Sequence, residues 1–497
     1  MSRSSLPVFE PLKNNLKVKV GIVGGGITGL TIAYELSRRG ISAVILEDGA
    51  IAGGESSRTS AHLSNALDDR YYNLEQVHGK ENARLAAESH SAAIDYIESL
   101  CKEKNIDCDF ERVEAYLFNP PLQESDNLIK ELNAAKRCGI DVTMVDKSPI
   151  ESYNTGPCVK FPSQAEFSPL KYLEKLSHCV VEMGGKIFDQ THVKEIRETK
   201  DGCQLITVSG NIVEAENVVI ATNSPINNPF FPHLKQASYR TYIIAGSIPK
   251  GSVPKALYYD TLDPYHYIRV VEESDSDTDL LLVGGEDHRV GICADPNESY
   301  EILERWTKTR FPKMGPITHR WSGQIVEPID SLAFIGRSKS HSKIFIATGD
   351  SGNGLTHGTI AGMLISDLIT GKSNPWEKLY DPSRKSLSAL SDFVEENAVT
   401  FAQYRDWVTE GDVSSINEIK PNSGAIVRQG AQKIAAYKDS DGQIHTLSAV
   451  CPHLKGLVRW NEAEQTWDCP CHGSRFKATG EVINGPANCP LARYEKG

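Results

Sequence analysis

The sequence predicts an α/β domain with an interleaved mixed sheet, followed by a small all-β domain. Three observations carry this. An apolar strand, a glycine turn, an amphipathic helix and a second strand run over residues 17–47. A strand, glycine turn and helix return at 343–370 after a long strand-rich middle. From residue 412 onward the chain breaks into short strands around two cysteine–histidine loops. At 497 residues, two or three domains are expected.

The elements follow in order. Residues 17–23 read as the first strand, and 27–39 hold an apolar stripe at Leu30, Ala33, Tyr34 and Leu36 until Gly40 ends the helix. Residues 42–47 make the second strand. The pattern predicts one long amphipathic helix over 74–104 and shorter ones near 126–138, 169–184 and 297–310. Strands dominate 186–285, with turns at Asp201-Gly202 and Ser209-Gly210-Asn211 and a solvated hairpin tip at 274–279. The polar stretch 372–411, with its KSNP and DPSR turns and one modest helix, reads as a linker.

Composition is that of a globular chain, 40% hydrophobic and 24% charged. A net charge of −12 with no basic tract argues against nucleic acid as a partner. No run of 18 apolar residues exists, so no membrane span is expected. The N-terminus lacks a secretory h-region and is poor in Arg for a transit peptide, and the C-terminal RYEKG carries no peroxisomal or retention address. Eleven cysteines are scattered without framework spacing outside the two loops. They read as reduced thiols, and a cytoplasmic location is expected.

The loops are Cys451-Pro-His453 and Cys469-Pro-Cys-His472, separated by residues 454–468. Each offers one thiolate and one imidazole. A structural zinc knuckle is one reading, although zinc ligands more often run C-x2–4-C and H-x3–5-H. The other is a [2Fe–2S] cluster with one iron on two Cys and the other on two His. CPHLKG, CPCHGSRF and the later Gly485-Pro486 resemble the two cluster loops and the proline loop of the Rieske family. The resemblance implies Cys451, His453, Cys469 and His472 as ligands. It also marks departures. Rieske proteins of respiratory complexes add a disulfide between the loops, but opposite Cys471 this chain has Gly456. Where they carry a Tyr that donates to a ligand sulfur, this chain has Phe476, leaving Ser474 as a donor. Fewer donors predict a low-potential centre. No closely spaced histidine pair suits a mononuclear oxygenase iron, so the cluster is expected to carry electrons.

At the other end, Gly24-Gly-Gly26-Ile-Thr-Gly29 follows a strand and opens a helix, and Glu47 ends the second strand 18 residues on. Gly24 permits the tight turn, Gly26 lets backbone approach a pyrophosphate, and Gly29 allows close helix–strand packing. The helix N-terminus stabilises phosphate, and Glu47 accepts ribose hydroxyls. This fingerprint does not separate FAD from NAD. Val218-Val-Ile-Ala-Thr-Asn223, with Thr222 in its turn, resembles the second FAD motif. Ile344-Phe-Ile-Ala-Thr-Gly349-Asp-Ser-Gly352-Asn-Gly354 resembles the last strand and turn of flavin amine and amino-acid oxidases. Trp321-Ser-Gly-Gln, Asp330 and Gly336 fit the same family, as do Arg58, Thr59 and Ser60, which the resemblance places along the flavin ring. Over 17–371 the chain is similar to the D-amino-acid oxidase superfamily. No second G-x-G-x-x-G follows, Val283-Gly-Gly-Glu286 failing the pattern, so a substrate C–H bond rather than NAD(P)H is expected to reduce the flavin.

The expected organisation is therefore an FAD-binding Rossmann-type α/β oxidoreductase domain over 1–371, its mixed substrate sheet mostly in 150–330, a linker at 372–411, and a small all-β Rieske domain at 412–497. Tyr239, Arg240, Tyr242, Tyr265, His266, Tyr267 and Arg269 lie in the strand-rich middle. In the superfamily, Tyr and Arg from such a sheet hold a substrate carboxylate; they are otherwise ordinary strand residues. Tyr267 and Arg269 alternate onto one face and are the candidates singled out. The expected activity is oxidation of an amine or amino acid by hydride transfer to FAD, with electrons passed singly to the cluster and an external acceptor. Reverse flow from an external donor, or a Rieske sensing or docking module, are the alternatives.

Overall fold

The computed structural model describes residues 6–120, 126–226, 235–274, 276–292, 295–338, 343–385, 407, 409–430 and 432–494. Strand Leu16–Val23 alternates in burial over its first half and is wholly buried over its second, as suits the centre of a parallel sheet. It pairs in parallel with Ile212–Ile220 on one side and Ala43–Leu46 on the other. Ile344–Thr348 and Lys186–Phe188 extend the parallel sheet outward, and Phe334–Arg337 closes one edge antiparallel. Helices Ile27–Ser37 and Gly354–Ile369 pack against each other. The contact needs glycine: a Cβ at Gly362 would stand 2.3 Å from Thr31 Cγ2.

A second, nine-stranded mixed sheet runs in the order Ile317–Pro328, Gln236–Pro249, Thr278–Arg289, His266–Val271, Leu257–Asp260, Glu111–Phe118, Cys158–Glu166 and His62–Leu63, with Thr143–Val145 paired beside Cys158–Glu166. Leu257–Asp260 and Glu111–Phe118 form its parallel pair. The strand-rich stretch expected over 186–285 is divided between sheets. Lys186–Phe188, Val193–Glu198, Cys203–Thr207 and Ile212–Ile220 join the first sheet, and only the later strands join the second. Alternation marks strands but not the sheet they enter.

The single helix expected over 74–104 is two helices, Tyr71–His78 and Lys80–Lys104. Gly79 separates them at φ 82°, outside the helical region. The stretch expected as a linker begins with packed residues: Leu379 and Tyr380 are buried, and Arg384 pairs with Asp330 at 2.7 Å. Residues 386–406, which hold most of that stretch, lie outside the described residues.

The C-terminal region is all-β. Ser423–Gln429, Gln432–Lys438 and Ile444–Ser448 form one antiparallel sheet. Arg459–Asn461, Thr466–Asp468, Arg475–Lys477 and Val482–Asn484 form another. Trp467 and Phe476, fully buried and opposite in register, fill the core beneath the two cysteine–histidine loops.

Candidate functional site

A cavity of about 350 Å³ runs between the two large sheets. One end is the glycine turn. Gly24 has φ 104°, and a Cβ there would meet the Ala221 carbonyl oxygen at 2.4 Å. Gly29 does not line the cavity; a Cβ there would stand 1.9 Å from the Gly24 oxygen. So Gly24 shapes the turn and Gly29 seats the helix against it. Glu47 accepts the Gly25 N–H at 2.6 Å through one oxygen and the Gly49 N–H at 2.9 Å through the other. Each oxygen keeps lone pairs for hydroxyl donors. Burial, the largest influence, raises its pKa.

Gly24, Gly26, Glu47, Arg58, Thr59, Ser60, Thr222, Gly349, Gly352, Gly354 and Tyr267 all line the cavity. Gly24 and Gly354, 330 positions apart in the chain, thus line one cavity. Trp321 Nε1 donates to the Arg58 carbonyl at 2.8 Å, which explains the Trp321 motif: it fixes the Arg58–Ser60 segment. Helix Gly354–Ile369 starts at the cavity too, Gly358 near its start lying against Ile27 and Thr28, and directs its N-terminal N–H groups there. The glycine cradle, two helix N-termini and Glu47 suit a dinucleotide.

Of the seven sheet residues singled out, Tyr265 and Tyr267 line the cavity. Arg269, a named candidate, does not. Its Nε donates to Glu166 at 3.0 Å and its Nη1 to the Ser60 carbonyl at 3.0 Å. It shares a strand face with Tyr267 but is drawn to a buried carboxylate, so it positions the Ser60 segment instead. Arg240 points away from the cavity, to Glu464 of the C-terminal domain at 2.8 Å. Neither Arg240 nor Arg269 thus lines the cavity, where a substrate carboxylate would be held.

His62 lies in the wall, with Nδ1 2.8 Å from Ser60 Oγ and Nε2 3.2 Å from the Ile268 carbonyl. Burial brings its pKa down from 6.5 to about 3. A folded value below the unfolded one means that its contribution, present above pH 6.5, is lost as pH falls towards 3. His62→Asn should therefore flatten the acid-side fall in stability by up to about 1.4 kcal/mol per pH unit. Unfolding midpoints between pH 7 and pH 4 check this, and an unchanged slope would contradict it.

The four residues expected as cluster ligands come together. The Cys451 and Cys469 thiols are in hydrogen-bond contact, and the His453 and His472 rings are 5.0 Å apart, edge to face. Burial brings these imidazoles down to about 4 and about 3, so both are neutral, the ligating form. Among the described residues, no three His, Cys, Asp or Glu close on one point as the ligands of a single ion would. Sulfur beside sulfur and imidazole beside imidazole is the pairing of a centre with one iron on two Cys and the other on two His. A Cβ at Gly456 would stand 2.5 Å from the Cys471 sulfur, the place of the missing disulfide partner. Ser474, fully buried, reaches Cys451 with its hydroxyl and accepts the Ala487 N–H at 3.0 Å. That bond ties the Gly485-Pro486 loop to the second cysteine–histidine loop. Restoring the absent donor in Phe476→Tyr should raise the cluster's midpoint potential in a redox titration, and no rise would contradict the low-donor account.

The two centres adjoin. Gly473, at φ 77°, lies so close to strand Gln236–Pro249 that a Cβ would meet Ser238 Cβ at 2.3 Å. Ser238 Oγ donates to the His472 carbonyl at 3.2 Å, and Gln324 Nε2 to the Gly473 carbonyl at 3.1 Å. Gln324 is itself a cavity wall, and so are residues 482–485 of the C-terminal domain. Glu55 joins both sides, accepting the Gln324 N–H at 2.7 Å and the Asn484 amide at 2.9 Å. Sequence reasoning missed Glu55, Asn484 and Glu464, and read Gln324 only as part of the Trp321 motif; no local pattern flags pairs so distant in the chain.

A dinucleotide cavity abutting a two-loop Cys/His centre defines a two-cofactor redox enzyme. Residues 19–368 match the family model described as FAD dependent oxidoreductase, and 407–495 match the Rieske [2Fe-2S] domain. The chain belongs to the FAD-dependent oxidoreductase family and carries a Rieske [2Fe–2S] domain, so its cofactors are FAD and a [2Fe–2S] cluster. It is 31% identical over 495 residues to the Rieske 2Fe-2S iron-sulfur protein YhfW of Bacillus subtilis (strain 168), covering 99% of this chain and 96% of that one. It is 23% identical over 384 residues to the gamma-glutamylputrescine oxidoreductase of Escherichia coli (strain K12), covering 74% and 87%. In fold it is similar to glycine oxidase from Geobacillus kaustophilus, with TM-score 0.63 and 20% identity over 75% of this chain and 100% of that one.

Proposed function

We propose that the protein is a dehydrogenase that oxidises the carbon–nitrogen bond of a small amine or amino acid and sends the electrons through its own cluster to an external acceptor. The observation that carries this is Gln324, which lines the FAD cavity with one part of its residue and donates to the cluster-loop backbone with its side chain. A shared wall of this kind suits transfer within one chain. FAD supplies a two-electron hydride acceptor, and the cluster a one-electron carrier. The chain's own part is placement. Arg58, Thr59, Ser60, Tyr265 and Tyr267 line the cavity, and residues 482–485 of the C-terminal domain complete its lining. The ligand assignment of Cys451, His453, Cys469 and His472 belongs to the same reading. Gamma-glutamylputrescine and glycine, for which the E. coli relative and the Geobacillus kaustophilus oxidase are named, are both nitrogen-bearing substrates, which supports the substrate class.

The described cysteines carry no disulfide, Cys101 and Cys108 included at 3.4 Å apart, which favours a cytoplasmic setting. Among the described residues no helix is long and apolar enough to cross a membrane. The test is an anaerobic screen of holoenzyme against amines and amino acids. Bleaching of FAD followed by reduction of the cluster is the expected order. Reduction of the cluster by ferredoxin alone, with FAD following, would replace this reading by the reverse flow.

A further inference from the structure

Where the two domains meet along the cavity, two amide side chains are only half satisfied. Gln324 is 3% exposed and lines the cavity. Its Nε2 donates to the Gly473 carbonyl at 3.1 Å, and its Oε1 is buried with no hydrogen-bond partner. Asn484, from the C-terminal domain, lines the same cavity. Its Nδ2 donates to Glu55 at 2.9 Å, and its Oδ1 is likewise buried with no partner. Neither amide can turn over to satisfy itself. A carbonyl and a carboxylate only accept, so each NH2 group must keep its place and each oxygen is left bare. Buried acceptors of this kind are costly unless a donor arrives.

Their place along the cavity narrows the missing donor. Ser56 Oγ accepts the Ile27 N–H at 3.1 Å, so residues 54–56 adjoin the helix N-terminus that faces the pyrophosphate. Arg58, Thr59 and Ser60 continue the lining towards the end where the flavin ring is expected. Glu55 lies between and holds both residues: it accepts the Gln324 main-chain N–H at 2.7 Å and the Asn484 amide. In FAD the ribityl chain joins the pyrophosphate to the ring. A stretch of lining made of Glu55 and two bare amide oxygens offers acceptors, which suits the ribityl hydroxyls and opposes phosphate. The C-terminal loop is fastened again further along. Asn488 Nδ2 donates to the Val193 and Lys194 carbonyls at 3.0 Å each, and the Asn488 carbonyl lies 3.1 Å from His192 Nε2. His192 Nδ1 is in turn 2.9 Å from Asp48, the neighbour of Glu47. Residues 484–488 therefore run beside the cavity from Glu55 to the Glu47 end, held at both points.

We propose that the C-terminal domain is part of the FAD site: Asn484 Oδ1, with Gln324 Oε1 across the domain boundary, accepts hydrogen bonds from the ribityl hydroxyls of FAD. This does not depend on which substrate reduces the flavin. Full-length protein, freed of FAD but keeping its cluster, is titrated with FAD and with analogues that each lack one ribityl hydroxyl, and binding is read from flavin fluorescence. At least one analogue should bind about tenfold more weakly than FAD, because it leaves a buried acceptor bare. Asn484→Leu should weaken FAD about tenfold and leave the affinity for one such analogue unchanged, the contact being already absent there. A residue that only held the domain seam would weaken FAD and every analogue alike. Gln324→Met gives the same readout from the other domain should Asn484→Leu fail to load its cluster, which the EPR spectrum reports. Equal weakening of all the flavins, or an FAD affinity unchanged in both variants, overturns the proposal and leaves water to complete the amides.

Discussion

Gly29→Val should yield a protein that no longer retains FAD. Even a Cβ at this position would stand 1.9 Å from the Gly24 carbonyl oxygen, and that oxygen belongs to backbone and cannot swing aside. Either helix Ile27–Ser37 lifts from strand Leu16–Val23 or the glycine turn opens. Both displace the N–H groups that face the pyrophosphate. The packing cost lies at or beyond the upper end of the roughly 1–3 kcal/mol of an overfilled core. Gly40→Asn is the control: Gly40 has φ 73° but open space around its Cβ position. It changes a glycine of the same unit and should keep FAD. Flavin-to-protein ratio after gel filtration measures both, and full FAD in Gly29→Val would contradict the packing argument.

Glu464→Ala should uncouple the two redox centres without emptying either. Glu464 sits between two buried arginines of different domains. Arg240 donates to both its oxygens at 2.9 and 2.8 Å, and Arg475 and Ser322 also bond to it. Arg475 is further held by Asp468 at 3.0 Å. Removing the shared carboxylate leaves Arg240, only 1% exposed, without an anion. Breaking a buried pair in this way costs about 3–5 kcal/mol. The cost falls on the junction, because Glu464 is neither a cavity wall nor a member of the cysteine–histidine loops. FAD content and the cluster's EPR spectrum should match wild type. Transfer from FAD to the cluster should slow and become sensitive to solvent viscosity as the domain loses its seat. An unchanged, viscosity-independent rate would show that the ion cluster does not hold the junction.

The parts legible in the sequence were those whose chemistry is written in consecutive residues. The glycine fingerprint, Glu47 and the two cysteine–histidine loops need short spacings, and each was read in place. The strand–turn–helix at 343–370 was legible for the same reason. What escaped was pairing at long range. Arg240 looks like a substrate arginine until Glu464, 224 positions away, claims it. Arg269 shares a strand face with Tyr267, but Glu166 sits nearer than the cavity. Strand periodicity did not show that 186–220 join the dinucleotide sheet, because both sheets bury the same alternating pattern. Gly79 was read through as helix because one glycine rarely outweighs so long an amphipathic stripe. The register shift opposite Thr241 was not read, although the tandem Gly284-Gly285 in a strand is itself a bulge signal.

The account stands on electrons passing between FAD and cluster inside one chain, and flash reduction tests that without a known substrate. FAD in the holoenzyme is reduced anaerobically by a photogenerated deazaflavin radical, and rapid-freeze EPR follows the Rieske signal. The signal should grow as reduced flavin decays, at a first-order rate that does not change with protein concentration. A signal that never appears, or a rate proportional to concentration, would contradict the account.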